Sequence, residues 1–154
     1  MCIRDRVYDA LNDVVLSKGS LSRMIDLTVK CEDKTVCSYR ADGLIFSSPT
    51  GSTAYSLSAG GPIVESSIEC IIMTPICPHS LFARTIVCSS DKKLSVDVDF
   101  ESHSEIYATI DGEQGFKLEP GDSFFVYRSP YTVQLIDLGI PFFDVIRKKF
   151  VENQ

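Results

Sequence analysis

Leu94-Ser95-Val96-Asp97-Val98-Asp99-Phe100 puts every apolar side chain on one face of an extended chain and every polar one on the other. That period of two fits a strand with one buried and one solvated face, and it does not fit a helix. The same pattern recurs. Met24-Ile25-Asp26-Leu27-Thr28-Val29-Lys30 alternates, and Glu32-Asp33-Lys34 offers a turn into Thr35-Val36-Cys37-Ser38-Tyr39. Asp42-Gly43 reads as a tight turn before Leu44-Ile45-Phe46. Ile71-Ile72-Met73 and Ile86-Val87-Cys88 read as buried strands. Segments 106–110, 124–127 and 132–136 complete the set, with Asp111-Gly112 and Pro120-Gly121-Asp122 as turns. Many short strands at this spacing predict a mainly β fold of two sheets, sandwich-like in architecture.

Two helices are expected to interrupt the strands. The first spans about 52–60, with Ser52 as its N-cap and Gly60-Gly61-Pro62 as its stop. The second spans about 141–150. It begins at Pro141, carries Phe142, Phe143, Ile146 and Phe150 on one face, and ends on Arg147, Lys148 and Lys149, where the helix dipole favours cations. An amphipathic helix of this kind wants a partner surface. There is no internal repeat and no linker, so one domain is expected.

Composition narrows the function classes. The chain has 154 residues, 44% of them hydrophobic and 23% charged, which is ordinary for a single globular domain. No apolar run approaches the ~20 residues of a membrane-spanning helix, and the first residues contain no apolar core of a secretory signal. With 15 basic against 21 acidic residues the formal net charge is −6, so a broad basic face for nucleic acid is not expected. The six cysteines (Cys2, Cys31, Cys37, Cys70, Cys77 and Cys88) form no Cys-x-x-Cys pair, and His79 and His103 stand apart. Zinc ligation is therefore not expected, and buried free thiols in a reducing cytosol are.

Ser47-Ser48-Pro49-Thr50-Gly51-Ser52-Thr53-Ala54-Tyr55-Ser56-Leu57-Ser58-Ala59-Gly60-Gly61-Pro62 is the least ordinary stretch. A strand followed by a turn and a hydroxyl-rich helix can aim backbone N–H groups and hydroxyls at one spot, which suits a ribose, an adenine edge or a phosphate. Gly51 allows close approach. No Gly-Lys-Ser/Thr and no Gly-x-Ser-x-Gly occurs, which excludes a P-loop and a nucleophile elbow. Spacing alone leaves two readings open here, a ligand cradle or a well-capped structural helix. Asn12-Asp13, ahead of an apolar strand, can offer an amide to a base edge and a carboxylate to vicinal hydroxyls, or can serve as a turn. Arg40 and Asp42 are open to reading as a surface ion pair.

Ala10-Leu11-Asn12-Asp13-Val14-Val15-Leu16, Ala41-Asp42-Gly43-Leu44-Ile45, the string from Pro49 to Pro62, and Pro75-Ile76-Cys77-Pro78-His79-Ser80-Leu81 occur in the order seen in NAD kinases. The sequence resembles the C-terminal, β-rich domain of a bacterial-type NAD kinase, over nearly everything from Val7 to Phe150. That resemblance implies residues 1–6 as a non-native leader and 7–154 as an NAD-binding domain. It implies a cytoplasmic enzyme that moves the terminal phosphoryl group of ATP, or of polyphosphate, onto the 2′-hydroxyl of the adenosine ribose of NAD to give NADP. The metal would be Mg2+ or another divalent ion travelling with ATP. By the same resemblance Asn12 and Asp13 hold the adenosine part, and Thr50, Thr53, Ala54, Tyr55, Ser56, Leu57 and Ser58 line the pocket. Arg23, Arg40 and Asp42 fall at ligand-contact positions, some of which reach a neighbouring subunit's site. Cys77 contributes mainly backbone, and Asp111-Gly112-Glu113 matches a further contact, with Glu113 where many relatives have Gln. A homo-oligomer, commonly a tetramer in the family, is implied.

The family's Gly-Gly-Asp-Gly motif, which supplies the Asp that activates the 2′-hydroxyl, has no counterpart in this chain; its sole Gly-Gly is Gly60-Gly61. No catalytic residue is therefore expected here, and the isolated chain is expected to be inactive. The competing expectation is a free-standing nucleotide-binding or sensor module that performs no chemistry.

Overall fold

The computed structural model describes residues 1–3, 6–20, 23–100, 105–136 and 139–150; His103 lies outside them, as do Arg4 and Asp5 of the expected leader. Among the described residues twelve strands form two six-stranded antiparallel sheets. The strands are β1 Cys2–Ile3, β2 Arg6–Val7, β3 Asp13–Lys18, β4 Ile25–Cys31, β5 Lys34–Ala41, β6 Gly43–Ser47, β7 Cys70–Ile76, β8 Ile86–Ser89, β9 Leu94–Asp99, β10 Ile106–Ile110, β11 Gln114–Leu118 and β12 Phe124–Val126. One sheet has the order β2-β1-β12-β9-β4-β5 and the other β11-β10-β3-β6-β7-β8. Helix α1 is Tyr55–Ser58 and α2 is Phe142–Phe150. Among the described residues no helix is long and apolar enough to cross a membrane.

The alternation in the sequence becomes the core. Ile25, Leu27 and Val29 of β4 and Leu94 and Val96 of β9 meet Val14, Leu16, Leu44, Phe46 and Met73 of the other sheet. Asp26, between two buried neighbours in β4, is exposed. Each fully buried side chain of this kind contributes about 1.5–3 kcal/mol of transfer free energy. The second sheet is covered on both faces at its centre: Ile45 and Ile72 are also buried, beyond the inter-sheet cluster, where α1 packs on β6. That explains why Leu44-Ile45-Phe46 is a continuous apolar run and not an alternating one.

Four expectations need correction. Asp42-Gly43 joins β5 to β6, which lie in different sheets, so it is a crossing and not a hairpin turn. The Asp42 N–H donates to the Ile76 carbonyl and the Asp42 carbonyl accepts from the Lys18 N–H, each at 3.0 Å. Gly43 serves close approach here, because a Cβ would stand 2.4 Å from the Leu16 carbonyl oxygen. Segment 132–136 is not a strand. Its alternation finds no ladder partner among the described strands, and Val133, Leu135 and Ile136 are exposed. The helix expected over 52–60 is two shorter pieces, a 3-10 turn at Thr50–Thr53 and α1, and Ser52 caps neither. Finally, the thiols are not uniformly buried: Cys70 is, Cys77 is exposed, and Cys2, Cys31, Cys37 and Cys88 lie between.

Candidate functional site

Strands β3 and β6 pair with Asp13 opposite Ser47. Val14 and Leu16 point into the inter-sheet core. By the two-residue period, Asp13 and its cross-strand neighbour Ser47 share the outer face, at the end of β6 from which the chain enters the 3-10 turn and α1. Asp13 is 6% exposed. Burial holds its carboxyl above the usual carboxylate range, the nearby Asp111 charge pushes it the same way, and a backbone N–H from Tyr55 opposes both. The Ser47 hydroxyl, also buried, has no hydrogen-bond partner among the described residues.

The turn is fastened onto Asn12 by backbone. The Ser48 N–H donates to the Asn12 carbonyl at 2.9 Å. The Ser48 hydroxyl donates to the Leu11 carbonyl at 2.7 Å and accepts from the Gly51 N–H at 3.0 Å. A Cβ on Gly51 would stand 2.0 Å from the Asn12 carbonyl oxygen, so only glycine lets the two backbones lie this close. Ser52, fully buried, donates to the Val64 carbonyl and accepts from the Val64 N–H, which ties the start of the segment to its return. Ser56, also fully buried, shares a hydrogen bond of 2.9 Å with Thr74 of β7. The remaining side chains face outward: Thr50, Thr53, Tyr55 and Ser58 are exposed, and Ala54 and Leu57 are partly so.

Hairpin β10–β11 closes the other side. Asp111 and Gly112 both take positive φ, 47° and 70°. The Asp111 carboxylate accepts from the N–H groups of Leu11 at 2.8 Å, Asn12 at 2.8 Å and Asp13 at 3.0 Å. Glu113, exposed, follows in the same hairpin. A groove of about 350 Å3 opens beside the cluster, with Leu11, Ser48, Pro49, Thr50 and Tyr131 in its wall.

Asn12, Asp13, the 50–58 segment and Glu113 are thus brought to one end of β6. Arg40, Asp42 and Cys77 lie at the other, roughly 13 Å away at ~3.3 Å per strand residue, and Arg23 is exposed two residues before Ile25, which pairs with Ala41. There Arg40 lies opposite Asp26 in the β4–β5 ladder, its carbonyl accepts from the His79 N–H, and Asp42 sits against Ile76. Asp42 does not pair with Arg40; its carboxylate meets the Lys18 ammonium at 3.0 Å. Sequence reasoning named Ser48 within the hydroxylated stretch and Asp111 within a matched contact but missed the anchoring that each performs, and it missed Thr74. Asp in an Asp-Gly turn signals a left-handed residue that bonds nearby backbone, but its partners here are 98 to 100 residues away.

Residues 11–138 match the family model described as the ATP-NAD kinase C-terminal domain. An NAD kinase from Symbiobacterium thermophilum is 50% identical over 141 residues, 91% of this chain and 50% of that protein. One from Caldanaerobacter subterraneus subsp. tengcongensis is 44% identical over 147 residues, 95% of this chain and 52% of that protein. The chain therefore spans about half the length of the relatives it matches. Among solved structures, an NAD kinase from Archaeoglobus fulgidus in complex with ATP superposes with a TM-score of 0.70 at 30% identity, over 79% of this chain and 46% of that one. A yeast NADH kinase complexed with NADH also gives 0.70, at 34% identity over 77% and 34%. With a β-rich two-sheet fold, the family string in place and a family match over most of its length, the chain belongs to the ATP-NAD kinase C-terminal domain family.

Proposed function

We propose that this chain is the dinucleotide-binding half of an NAD kinase, which phosphorylates the 2′-hydroxyl of the adenosine ribose of NAD to give NADP. The observation that carries the reading is the cluster at the end of β6: Asn12 and Asp13 locked beneath a turn and helix whose exposed residues are Thr50, Thr53, Tyr55 and Ser58. Asn12 is suited to a base edge by its amide, and Asp13 to ribose hydroxyls by its carboxylate. The cluster at the far end of β6, with the cations Lys18 and Arg40 and with Arg23 two residues before β4, suits the other end of an extended dinucleotide or a neighbouring subunit's ligand. Ser56 acts through Thr74 in holding α1.

The chemistry asks for more than this chain holds. Phosphoryl transfer is positioning and charge neutralisation, and the family's Gly-Gly-Asp-Gly base has no equivalent here. Among the described residues no group of three or more His, Cys, Asp or Glu side chains is placed to hold a metal ion. A resident divalent cation does not fit these residues; in this reading Mg2+ comes with ATP.

Calorimetric titration of the folded chain with NAD tests the reading. Saturable binding is expected, weakened at least tenfold in Asp13→Ala. A folded chain that takes up no NAD removes the proposal. Incubation with NAD, ATP and Mg2+ is expected to yield no NADP from this chain alone, and turnover there would place the base within it.

A further inference from the structure

We propose that Asp111 is the positioning residue of this site, a carboxylate clamp that sets the backbone of Asn12 and Asp13 before any ligand arrives. The inference rests on the dinucleotide-binding reading of that pair.

The clamp is built from both directions. Asp111 Oδ2 accepts from the Leu11 N–H, and Oδ1 accepts from the N–H groups of Asn12 and Asp13. The Asp111 N–H donates back to the Asp13 carbonyl at 3.0 Å. Three successive backbone N–H groups converging on one carboxylate make an anion cradle, here filled by the protein's own side chain. Charge-assisted bonds of this type are among the stronger ones available to a protein. The turn itself does not need the carboxylate, because the Glu113 N–H already closes it onto the Ile110 carbonyl at 2.9 Å. The ladder then fixes the aim. Ile110 pairs with Val14, so the residue after Ile110 falls against the residue before Val14.

Two consequences follow for ligand binding. Residues 11–13 have their N–H groups spoken for, so the Asn12 and Asp13 side chains project from a fixed backbone, and binding need not order it. The Asp111 charge also stands close enough to Asp13 to oppose its ionisation, which couples the clamp to the hydrogen-bonding state of the carboxyl offered to the ribose.

Asp111→Asn is the test variant. Asparagine tolerates the left-handed backbone of this position, and its amide keeps one oxygen for Asn12 and Asp13 while presenting N–H instead of oxygen to Leu11. NAD affinity is expected to fall about tenfold, and the Asp13 carboxyl midpoint, followed by carboxyl carbon NMR, is expected to move down. An affinity within twofold of wild type with an unmoved Asp13 midpoint overturns the clamp. A second measurement needs no variant: in the unaltered, ligand-free chain the amide protons of Leu11 and Asn12, which precede β3 and whose bonds go to the Asp111 carboxylate, are expected to exchange slowly with solvent. Exchange at both as fast as in an open loop refutes the proposal even if Asp111→Asn does not fold. Failure of the unaltered chain to bind NAD strikes the dinucleotide reading first, and amide exchange still reports on the clamp separately.

Discussion

Asp13 is held in conditions a carboxylate resists, buried and facing a second acid. Its folded pKa is raised, so the native state binds this proton more tightly than the unfolded chain does. The contribution to stability is present below the ordinary carboxyl value and is lost as pH rises through the raised one. Asp13→Asn keeps an acceptor for the Tyr55 N–H and removes the charge. It is expected to raise Tm by a few degrees at pH 7, with the gain vanishing near pH 3, while NAD binding weakens. Thermal melts at the two pH values check the sign. Gly51 answers to a different force. Alanine there drives a methyl into the Asn12 carbonyl and is expected to cost about 1–3 kcal/mol and to weaken NAD binding. Gly121→Ala, at φ 92° in open space, is expected to cost only about 1 kcal/mol and to leave binding alone. Chemical denaturation and titration of both variants separate a clash from a conformational preference. The close approach at Gly51 was legible in the sequence because it is local, a glycine in a hydroxylated turn. Asn12 and Asp13 stood out only as a polar pair before a strand, a pattern that a turn shares, and the site roles given them came from the family resemblance. The anchoring by Asp111 was not legible, since nothing near it in the chain announces partners at Leu11, Asn12 and Asp13.

At the scale of elements, α1 has four residues, too few to persist without tertiary support. Two buried hydroxyls supply the support: Ser52 bonds Val64 in both directions, and Ser56 bonds Thr74. This is why the single capped helix expected over 52–60 divides. A serine at that place is a good N-cap by type, but its oxygen is committed across the segment, and the choice between local and distant partners is not written in the local pattern. Gly60 did end the helix as expected, at φ 87°. Ser56→Ala leaves the Thr74 hydroxyl without its close partner and is expected to cost about 1–2 kcal/mol. Hydrogen exchange should locate that loss. Faster exchange confined to about 50–64, with β3 and β6 unchanged, is the expected pattern, and uniform acceleration through the sheet would contradict the view of α1 as a pinned lid on a stable face.

For the whole molecule, alternation announced strands and two layers, but the order of strands is non-local. β12 lies between β1 and β9, and β3 lies between β10 and β6; neither follows from pattern when every strand carries a similar apolar face. The same blindness produced the false strand at 132–136, whose alternation is real but which finds no ladder partner among the described strands. That segment and α2 leave apolar surface in solvent. Ile136 is 89% exposed, Phe143 72%, Leu135 71% and Ile140 61%, and no residue of α2 is buried. Helix α2 carries Phe142, Phe143 and Ile146 towards one side and Arg147, Lys148 and Lys149 in its last turn, so it is amphipathic, and Phe143 stands largely in solvent. Large apolar side chains left in solvent in this number favour association. Sedimentation velocity is expected to show the chain self-associating as its concentration rises, and Phe143→Glu combined with Ile146→Glu is expected to shift it towards monomer with the β-type circular dichroism retained. A chain that stays monomeric at high concentration, or a double variant that associates as strongly as wild type, would mean that this face is not what brings copies together.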